Sequence, residues 1–217
     1  MNTSKVYADL LSIRIISSVE QSLADSLNLN DNQKSLALFT VNIDDVGVTA
    51  LDEATKRAEV DAVMANSFYA GADHASGPLS GEFIGILAGP NPDEVKSGID
   101  VVQQVVSSEA FFEAVDEREE HCFYAHVISS SGTFLSKEAG VKEGESLAYL
   151  IAPPLEATYG IDSALKASDV QLASFYEPPS ETNFGGGLLS GSQAACEAAA
   201  DAFREAVVDI ANHPMKY

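Results

Sequence analysis

The chain of 217 residues carries 33 acidic and only 12 basic residues, which gives a formal net charge of −21. Such a surface repels phosphate backbones and anionic lipid headgroups, so nucleic acid and membranes are not expected partners. Apolar residues make up 46% of the chain, enough for packed cores, but no apolar run approaches the roughly 20 residues that span a bilayer.

Hydrophobic alternation and helical spacing predict six elements in the first 90 residues, in a mixed α and β arrangement. In chain order they are a strand around Leu11, Ile13 and Ile15, a short helix at 19–27, strands at 36–41 and 46–49, a helix that Asp52 caps and that runs to about residue 65, and an apolar strand at 82–88.

The next helix has the clearest start signals of the chain. Asn91 can act as its N-cap, Pro92 occupies the first helical position, and two acidic residues follow at the positive end of the helix dipole. Apolar residues then recur at helical spacing as far as Val106. The same spacing returns from Cys196 onward, which predicts that Cys196 is a small core residue rather than a nucleophile.

The second half of the chain repeats the first in the same order. Three pairs of similar segments keep nearly the same separation: 14–18 with 126–130, 35–38 with 146–149, and 52–56 with 162–166. We therefore predict two tandem α+β domains, 1–110 and 111–217, each a β-sheet with helices on one face.

The start of the chain and its two cysteines indicate in which cellular compartment the protein resides. The first nine residues lack the basic start and long apolar stretch of a signal peptide. Cys122 and Cys196 lie far apart and neither belongs to a CxxC pair, which argues against a disulfide scaffold or a cysteine-rich zinc site. We expect a cytoplasmic protein.

Several segments resemble the ethanolamine-utilisation shell proteins of bacterial microcompartments. They keep one order over nearly the whole chain and lie at 52–56, 87–92, 152–166, 178–183 and 191–196. The resemblance implies two tandem circularly permuted microcompartment domains with a ferredoxin-like fold. It also implies a homotrimer that mimics a hexagon, packs edge to edge with other shell proteins in the microcompartment shell, and catalyses no reaction.

The resemblance further implies a central pore that two long loops open and close. The loops would be 67–80 and 176–187, which occupy matching places in the two repeats and are rich in glycine and proline. The residues expected to gate the pore are Ser67, Phe68, Tyr69, Gly71, Asp73 and His74 in the first loop, and Tyr176, Pro178, Pro179, Phe184 and Gly185 in the second.

A binding site for ethanolamine is also implied, and its occupation would favour the closed pore. On their own, adjacent Asp44 and Asp45 at the end of a strand indicate a turn. By resemblance, Asp44, Asp45 and Glu82 would hold the ammonium group, and Phe112 would provide an apolar or cation–π wall. The second loop would contribute Glu181, Thr182 and Asn183.

Other functions are less well supported by the sequence. No cofactor is expected to be required, although a cobalamin-type cofactor could pass through or bind in the open pore, and His74 is a weak candidate ligand for a divalent metal. No phosphate loop, nucleophile elbow or metalloprotease motif is present. The alternative to a shell protein is a trimeric ferredoxin-like signalling protein whose loops bind a small effector.

Overall fold

The computed structural model describes residues 3–69 and 77–216, and the chain divides into two compact units. The N-terminal unit comprises Tyr7–Ala110 together with Gly132–Leu135. The C-terminal unit comprises Met1–Val6, Phe111–Ser131 and Ser136–Tyr217. The main division therefore falls between residues 110 and 111, and two short segments group with the opposite half of the sequence.

The described residues form ten strands, six α-helices and one π-helical turn. In chain order they are β1 (Ser4–Val6), β2 (Leu10–Ile16), α1 (Gln21–Ser26), β3 (Ser35–Val41), α2 (Asp44–Arg57), β4 (Asp61–Ser67), β5 (Phe83–Gly89), α3 (Pro92–Gln104) with a π-helical turn (Val105–Glu109), β6 (Phe112–Ala114), β7 (Cys122–Ile128), α4 (Thr133–Ala139), β8 (Ser146–Ala152), α5 (Pro154–Ala167), β9 (Val170–Tyr176), β10 (Gly185–Gly191) and α6 (Gln193–Asn212).

The N-terminal unit contains an antiparallel sheet with the strand order β2-β3-β5-β4. Helices α2 and α3 pack on this sheet and on each other. The approach is close at Gly47 of α2, where an added Cβ would lie 2.5 Å from the ring of Phe83. Phe83 in turn lies 5.9 Å from Phe39, measured between ring centroids. This packing holds the first turn of α2 beside the start of β5.

The C-terminal unit contains an antiparallel sheet with the strand order β1-β6-β7-β8-β10-β9. Helices α5 and α6 pack together against it, and their apolar sides form a buried core with β8 and β10. Phe203 of α6 lies at the centre of this core, where Gly160 of α5 leaves room for its ring. Cys196 is buried in the same core, as predicted.

Both units repeat one order of elements, which confirms the predicted tandem repeat. The separation of equivalent elements, taken from their first residues, falls along the chain: 112 residues from β2 to β7, 111 from β3 to β8, 110 from α2 to α5, 102 from β5 to β10 and 101 from α3 to α6. The largest change falls between β4 and β5, because the connection between the equivalent strands β9 and β10 is shorter.

Two predicted elements of the first repeat are wrong. The strand predicted at 46–49 and the helix predicted to begin at Asp52 are parts of one helix, α2, and 61–67 forms strand β4 rather than the end of a helix. The β-branched run at Val46, Val48 and Thr49 favours a strand locally. Nine of the fourteen residues of α2 are instead buried, on more than one face of the helix, because α2 packs on the sheet and on α3.

None of the helices within 3–69 and 77–216 is long and apolar enough to cross a membrane.

Candidate ligand-binding site

The carboxyl group of Asp44 lies close to those of Asp45 and Glu82 at one end of the N-terminal sheet. Asp44 and Asp45 form the first turn of α2, and Glu82 immediately precedes β5. Asp44 and Asp45 were expected in a turn; they instead begin a helix, where the helix dipole favours negative charge. Both are buried, whereas Glu82 is half-buried. The fold thus brings Glu82 to the first turn of α2, although the rest of α2 and strand β4 lie between them in the sequence.

Asp44 is held by hydrogen bonds within this end of the sheet. Its carboxylate accepts from the hydroxyl of Ser67, the last residue of β4, and from backbone amides of the first helical turn. These bonds favour the charged carboxylate, but burial outweighs them and raises the pKa of Asp44. Removing this group from water therefore costs free energy that a bound cation could offset.

Glu82 is fixed through its backbone. Its N–H donates to the carbonyl oxygen of Val41 over 2.9 Å, and its own carbonyl oxygen accepts from the N–H of Phe68 over 3.0 Å. Burial, and then the negative charge of Asp44, raise the pKa of Glu82 to about 7. The site therefore changes its charge near neutral pH.

The chemistry of the site suits an organic cation. Within the described ranges, no lysine or arginine nitrogen lies within 4.0 Å of a carboxylate oxygen of Asp44 or Glu82. Nor do any three histidine, cysteine, aspartate or glutamate residues of 3–69 and 77–216 converge in a way that could hold a metal ion. A primary ammonium group, with three N–H donors, matches separate carboxylate acceptors better than a metal ion does.

The second repeat provides an internal comparison for this cluster. At the separations of the equivalent elements, Asp44 and Asp45 correspond to Pro154 and Leu155, and Glu82 corresponds to Phe184. The same fold is therefore built without any carboxylate at these places. Because the fold does not require the acidic cluster, a role in binding explains it better than a role in structure.

The other residues predicted for the site lie in the C-terminal unit. Phe112 is buried in β6, where its ring stacks on Tyr124 at 5.1 Å and meets the edge of Phe184 at 6.1 Å. Thr182 is buried, and its hydroxyl lies 3.5 Å from that of Ser180. Glu181 and Asn183 are exposed. Of the seven residues predicted for the site, three therefore belong to the N-terminal unit and four to the C-terminal unit.

Comparisons with known proteins identify the family. Residues 35–129 match the model of the BMC domain. The chain is 52% identical over 217 residues to the bacterial microcompartment shell protein EutL of Clostridium perfringens, covering all of both chains, and 48% identical over 204 residues to EutL of Escherichia coli, covering 94% of this chain and 93% of that protein. The crystal structure of EutL from Leptotrichia buccalis superposes with a TM-score of 0.96 at 52% identity over the full length of both chains.

The chain belongs to the EutL family of bacterial microcompartment shell proteins. The predicted family and the predicted fold of two tandem microcompartment domains are confirmed. The fold is also shared with a shell protein of lower similarity, PduB, at a TM-score of 0.76 and 19% identity over 94% of this chain and 89% of that one. The signalling-protein alternative is set aside by the family assignment.

The structure describes only part of the two loops expected to gate a pore in this EutL-family chain. In the first loop, Ser67 ends β4, Phe68 extends the sheet through its N–H, and Tyr69 is exposed. Gly71, Asp73 and His74 lie outside the described residues. His74 was also the candidate metal ligand.

The second loop is shorter than predicted. Tyr176 ends β9 and Gly185 begins β10, so the triple glycine belongs to a strand and not to the loop. An added Cβ at Gly187 would lie 2.3 Å from the carbonyl oxygen of Ser174, which explains the glycine there. The segment between the strands, which contains Pro178 and Pro179, is closed by a bond from the N–H of Ser180 to the carbonyl oxygen of Phe184 over 2.7 Å.

Sequence analysis missed Ser67 as a partner of the acidic cluster, since it was assigned to the gating loop. The comparison of repeats could have found it, because the equivalent of Ser67 is Tyr176, a residue that cannot form the same short contact. A polar residue that replaces a large aromatic one beside two aspartates indicates a hydrogen-bonding role.

The raised pKa of Glu82 predicts how Glu82→Gln changes stability with pH. The folded state holds the proton of Glu82 up to about pH 7, whereas in the unfolded chain the carboxyl group has its ordinary pKa of 4.5 and releases the proton there. Stability contributed by protonated Glu82 is therefore lost as the pH rises through this window. We expect the unliganded Glu82→Gln variant to melt at a higher temperature than the wild type at about pH 8, with a smaller difference at about pH 5. Thermal unfolding that gave one pH-independent difference would contradict this expectation.

Proposed function

We propose that the chain forms homotrimeric tiles which pack edge to edge with other shell proteins, and that ethanolamine binding at Asp44, Asp45 and Glu82 favours the closed state of a central pore. The pore would be gated by the loops 67–80 and 176–187. The role is structural and transporting rather than catalytic. The observation that carries the ligand proposal is the acidic cluster, which is present in one repeat and replaced by Pro154, Leu155 and Phe184 in the other.

Ethanolamine fits the chemistry of this cluster. Its ammonium can donate to several carboxylate oxygens, and its hydroxyl needs only a neutral polar partner such as Ser67. The charge of the ammonium offsets the cost of ionising buried Asp44 and half-buried Glu82. The participation of Phe112, Glu181, Thr182 and Asn183 rests on the family resemblance alone.

The proposed coupling to the pore follows from linkage. A ligand shifts a conformational equilibrium only by its difference in affinity between the two states. Ser67 links the site to the first loop, because it ends β4 where the loop begins and its hydroxyl donates to Asp44. The affinity for the ligand therefore differs between loop arrangements that keep this bond and those that break it. A cation at Asp44 and Glu82 therefore stabilises the arrangement of the loop in which Ser67 keeps this bond.

The trimer and pore rest on the family and on fold likeness. The chain shares its fold with PduB, which is described as a trimeric bacterial microcompartment shell protein. Flat hexagonal layers in electron microscopy would support the tile, whereas particles that stay discrete at all concentrations would contradict it. Passage of a bulkier cobalamin-type cofactor would require an open pore of matching diameter.

Calorimetry on Asp45→Asn tests the ligand site. The substitution keeps the size of the side chain but removes one negative charge from the first turn of α2. Because a hydrogen bond to a charged group contributes about 1.5–3 kcal/mol, we expect ethanolamine to bind the variant about tenfold more weakly or worse. Asp100→Asn is the control, since Asp100 is an exposed carboxylate on α3. Equal affinity of wild type and Asp45→Asn would remove the site from consideration.

A further inference from the structure

The C-terminal unit includes the short N-terminal strand β1, which lies at the edge of its sheet beside β6. Strand β6 pairs with β7 at Glu113 and Ala114, and with β1 at all three of its residues. The strand partner of Phe112 is therefore Val6 of β1. Because β1 has only three residues, its attachment depends on side chains as well as on backbone hydrogen bonds.

Two side-chain contacts add to this backbone pairing. Thr3, directly before β1, donates from its hydroxyl to the carboxylate of Glu113 over 2.6 Å, and Glu113 also accepts from Nε of Arg204 on α6 over 2.8 Å. Nζ of Lys5 lies 4.1 Å from the centre of the Phe111 ring. Glu113 is buried, so its charge-assisted hydrogen bonds form away from water, where such bonds are strong.

The residue between these two anchoring points is Phe112, whose ring packs against the connection 177–184 between β9 and β10. The ring meets the edge of Phe184, the last residue of that connection, at 6.1 Å between ring centroids. Aromatic pairs in this edge-on arrangement attract each other beyond the area that they bury. The position of Phe112 therefore affects how the end of the connection packs.

The start of the connection is attached to the same rings. Phe112 stacks on Tyr124 at 5.1 Å, and Tyr124 meets the edge of Tyr149 at 5.4 Å. Tyr149 in turn lies 6.2 Å from Tyr176, the last residue of β9. Both ends of the connection are thus linked to Phe112, one end directly and the other through two tyrosine rings.

The first repeat shows that the fold does not require this arrangement. At the separations of the equivalent elements, the places of the other four rings are held by Ser12, Leu38, Ser67 and Glu82. Within the described part of the N-terminal unit, the sheet has four strands and none in the place of β1 and β6. Protection of a sheet edge would explain β1 alone, but it does not explain the rings that link β6 to the connection.

We infer that strand β1 is a positioning element for the connection 177–184: by fixing Phe112, it favours the arrangement in which Phe184 packs on that ring. The inference rests on the proposed function, in which this connection belongs to the second gating loop. The arrangement that keeps the ring contact gains the attraction between the two rings, and it does so only where Phe112 is held in place. Thr3 and Lys5 therefore act on the connection through Phe112.

Amide hydrogen exchange, followed by mass spectrometry on the full-length chain without ligand, tests the inference. Thr3→Val combined with Lys5→Met removes both side-chain contacts of β1 and leaves the rings unaltered. From the strength of an aromatic pair, we expect the amides of 180–184 to exchange about two- to tenfold faster in this double variant. The N–H of Ser180 is the most informative of them, because it donates to the carbonyl oxygen of Phe184 over 2.7 Å.

Two further variants separate positioning from a general loss of stability. Asp201→Asn removes an exposed ion-pair partner of Arg204 and should leave the exchange of 180–184 unchanged. Phe184→Leu removes the ring contact directly, so adding Thr3→Val and Lys5→Met to it should cause no further acceleration. Additive acceleration would show that β1 stabilises the unit as a whole, and unchanged exchange in the double variant would show that β1 does not position the connection. Either result would overturn the inference.

Failure of the proposed function would be visible separately. The exchange is measured without ethanolamine, whereas the ligand site is tested by calorimetry on Asp45→Asn. Equal affinity in that calorimetry, together with the expected exchange, would overturn the ligand site and support the positioning role of β1. Circular dichroism checks folding, and Thr3→Val alone replaces the double variant if the latter is unfolded, with a smaller acceleration expected.

Discussion

Gly81→Ala is expected to destabilise the chain by about 3 kcal/mol and to abolish ethanolamine binding. Gly81 has a φ of +61°, and an added Cβ would lie 2.2 Å from the carbonyl oxygen of Val41. That oxygen accepts from the N–H of Glu82, so relieving the clash breaks the bond that fixes the acidic cluster. The left-handed conformation alone costs an alanine about 1–2 kcal/mol, and the backbone shift adds to this cost.

Gly140→Ala is the matched control for this variant. Gly140 has nearly the same φ, +64°, but an added Cβ would meet nothing within 4 Å. Its substitution should cost about 1 kcal/mol, which is the conformational penalty without the clash. Urea unfolding of both variants gives the comparison, and equal losses of stability would contradict the account of Gly81. Calorimetry should show that Gly140→Ala binds ethanolamine with the affinity of the wild type.

Asp52→Ala is expected to lower the free energy of unfolding by about 3 kcal/mol. The variant leaves the amides of Gly132 and Leu135 without their acceptor in a buried place, and each unsatisfied donor costs about 1–3 kcal/mol. Asp52→Asn keeps one side-chain oxygen as acceptor and should lose about half as much. Denaturant unfolding, followed by circular dichroism, measures the free energy of unfolding of the wild type, Asp52→Ala and Asp52→Asn.

Asp100→Ala provides the control for the loss of a carboxylate on a helix. The side chain of Asp100 is 62% exposed, and among the residues that the structure describes it pairs only with Lys96, one turn away on α3. Its removal should change stability by no more than about 0.5 kcal/mol. If Asp52→Ala were as stable as Asp100→Ala, the two amides would be satisfied in another way and the contact of Gly132–Leu135 with α2 would be unimportant for stability.

The helix starts and the repeat were readable from the sequence because their signals are local. Asn91 accepts from the backbone amides of the first turn of α3 and Pro92 begins that helix, as the sequence predicts. Helix α2 was misread because its β-branched run has no local feature that separates it from a strand. The true assignment depends on packing against β5, which a short window of sequence does not contain.

The acidic cluster was predicted in part for the same reason. Asp44 and Asp45 are adjacent, so they stand out in the sequence, although family resemblance was needed to prefer a binding role over a turn. The hydrogen bond from Ser67 and the effect of Asp44 on the pKa of Glu82 join groups far apart in the chain. Such contacts follow from the order of strands in the sheet and not from any spacing.

By itself, the sequence determined that two copies of one α+β domain follow each other and that the chain resembles microcompartment shell proteins, because order and spacing survive in a linear string. Only the tertiary structure decided that Asp52 binds amides about 80 residues away, and that the equivalent Asp162 is left exposed. The physical reason is that burial is a property of neighbours in space. Two aspartates at equivalent places in the repeats therefore differ in what lies against them, although the sequence around them is similar.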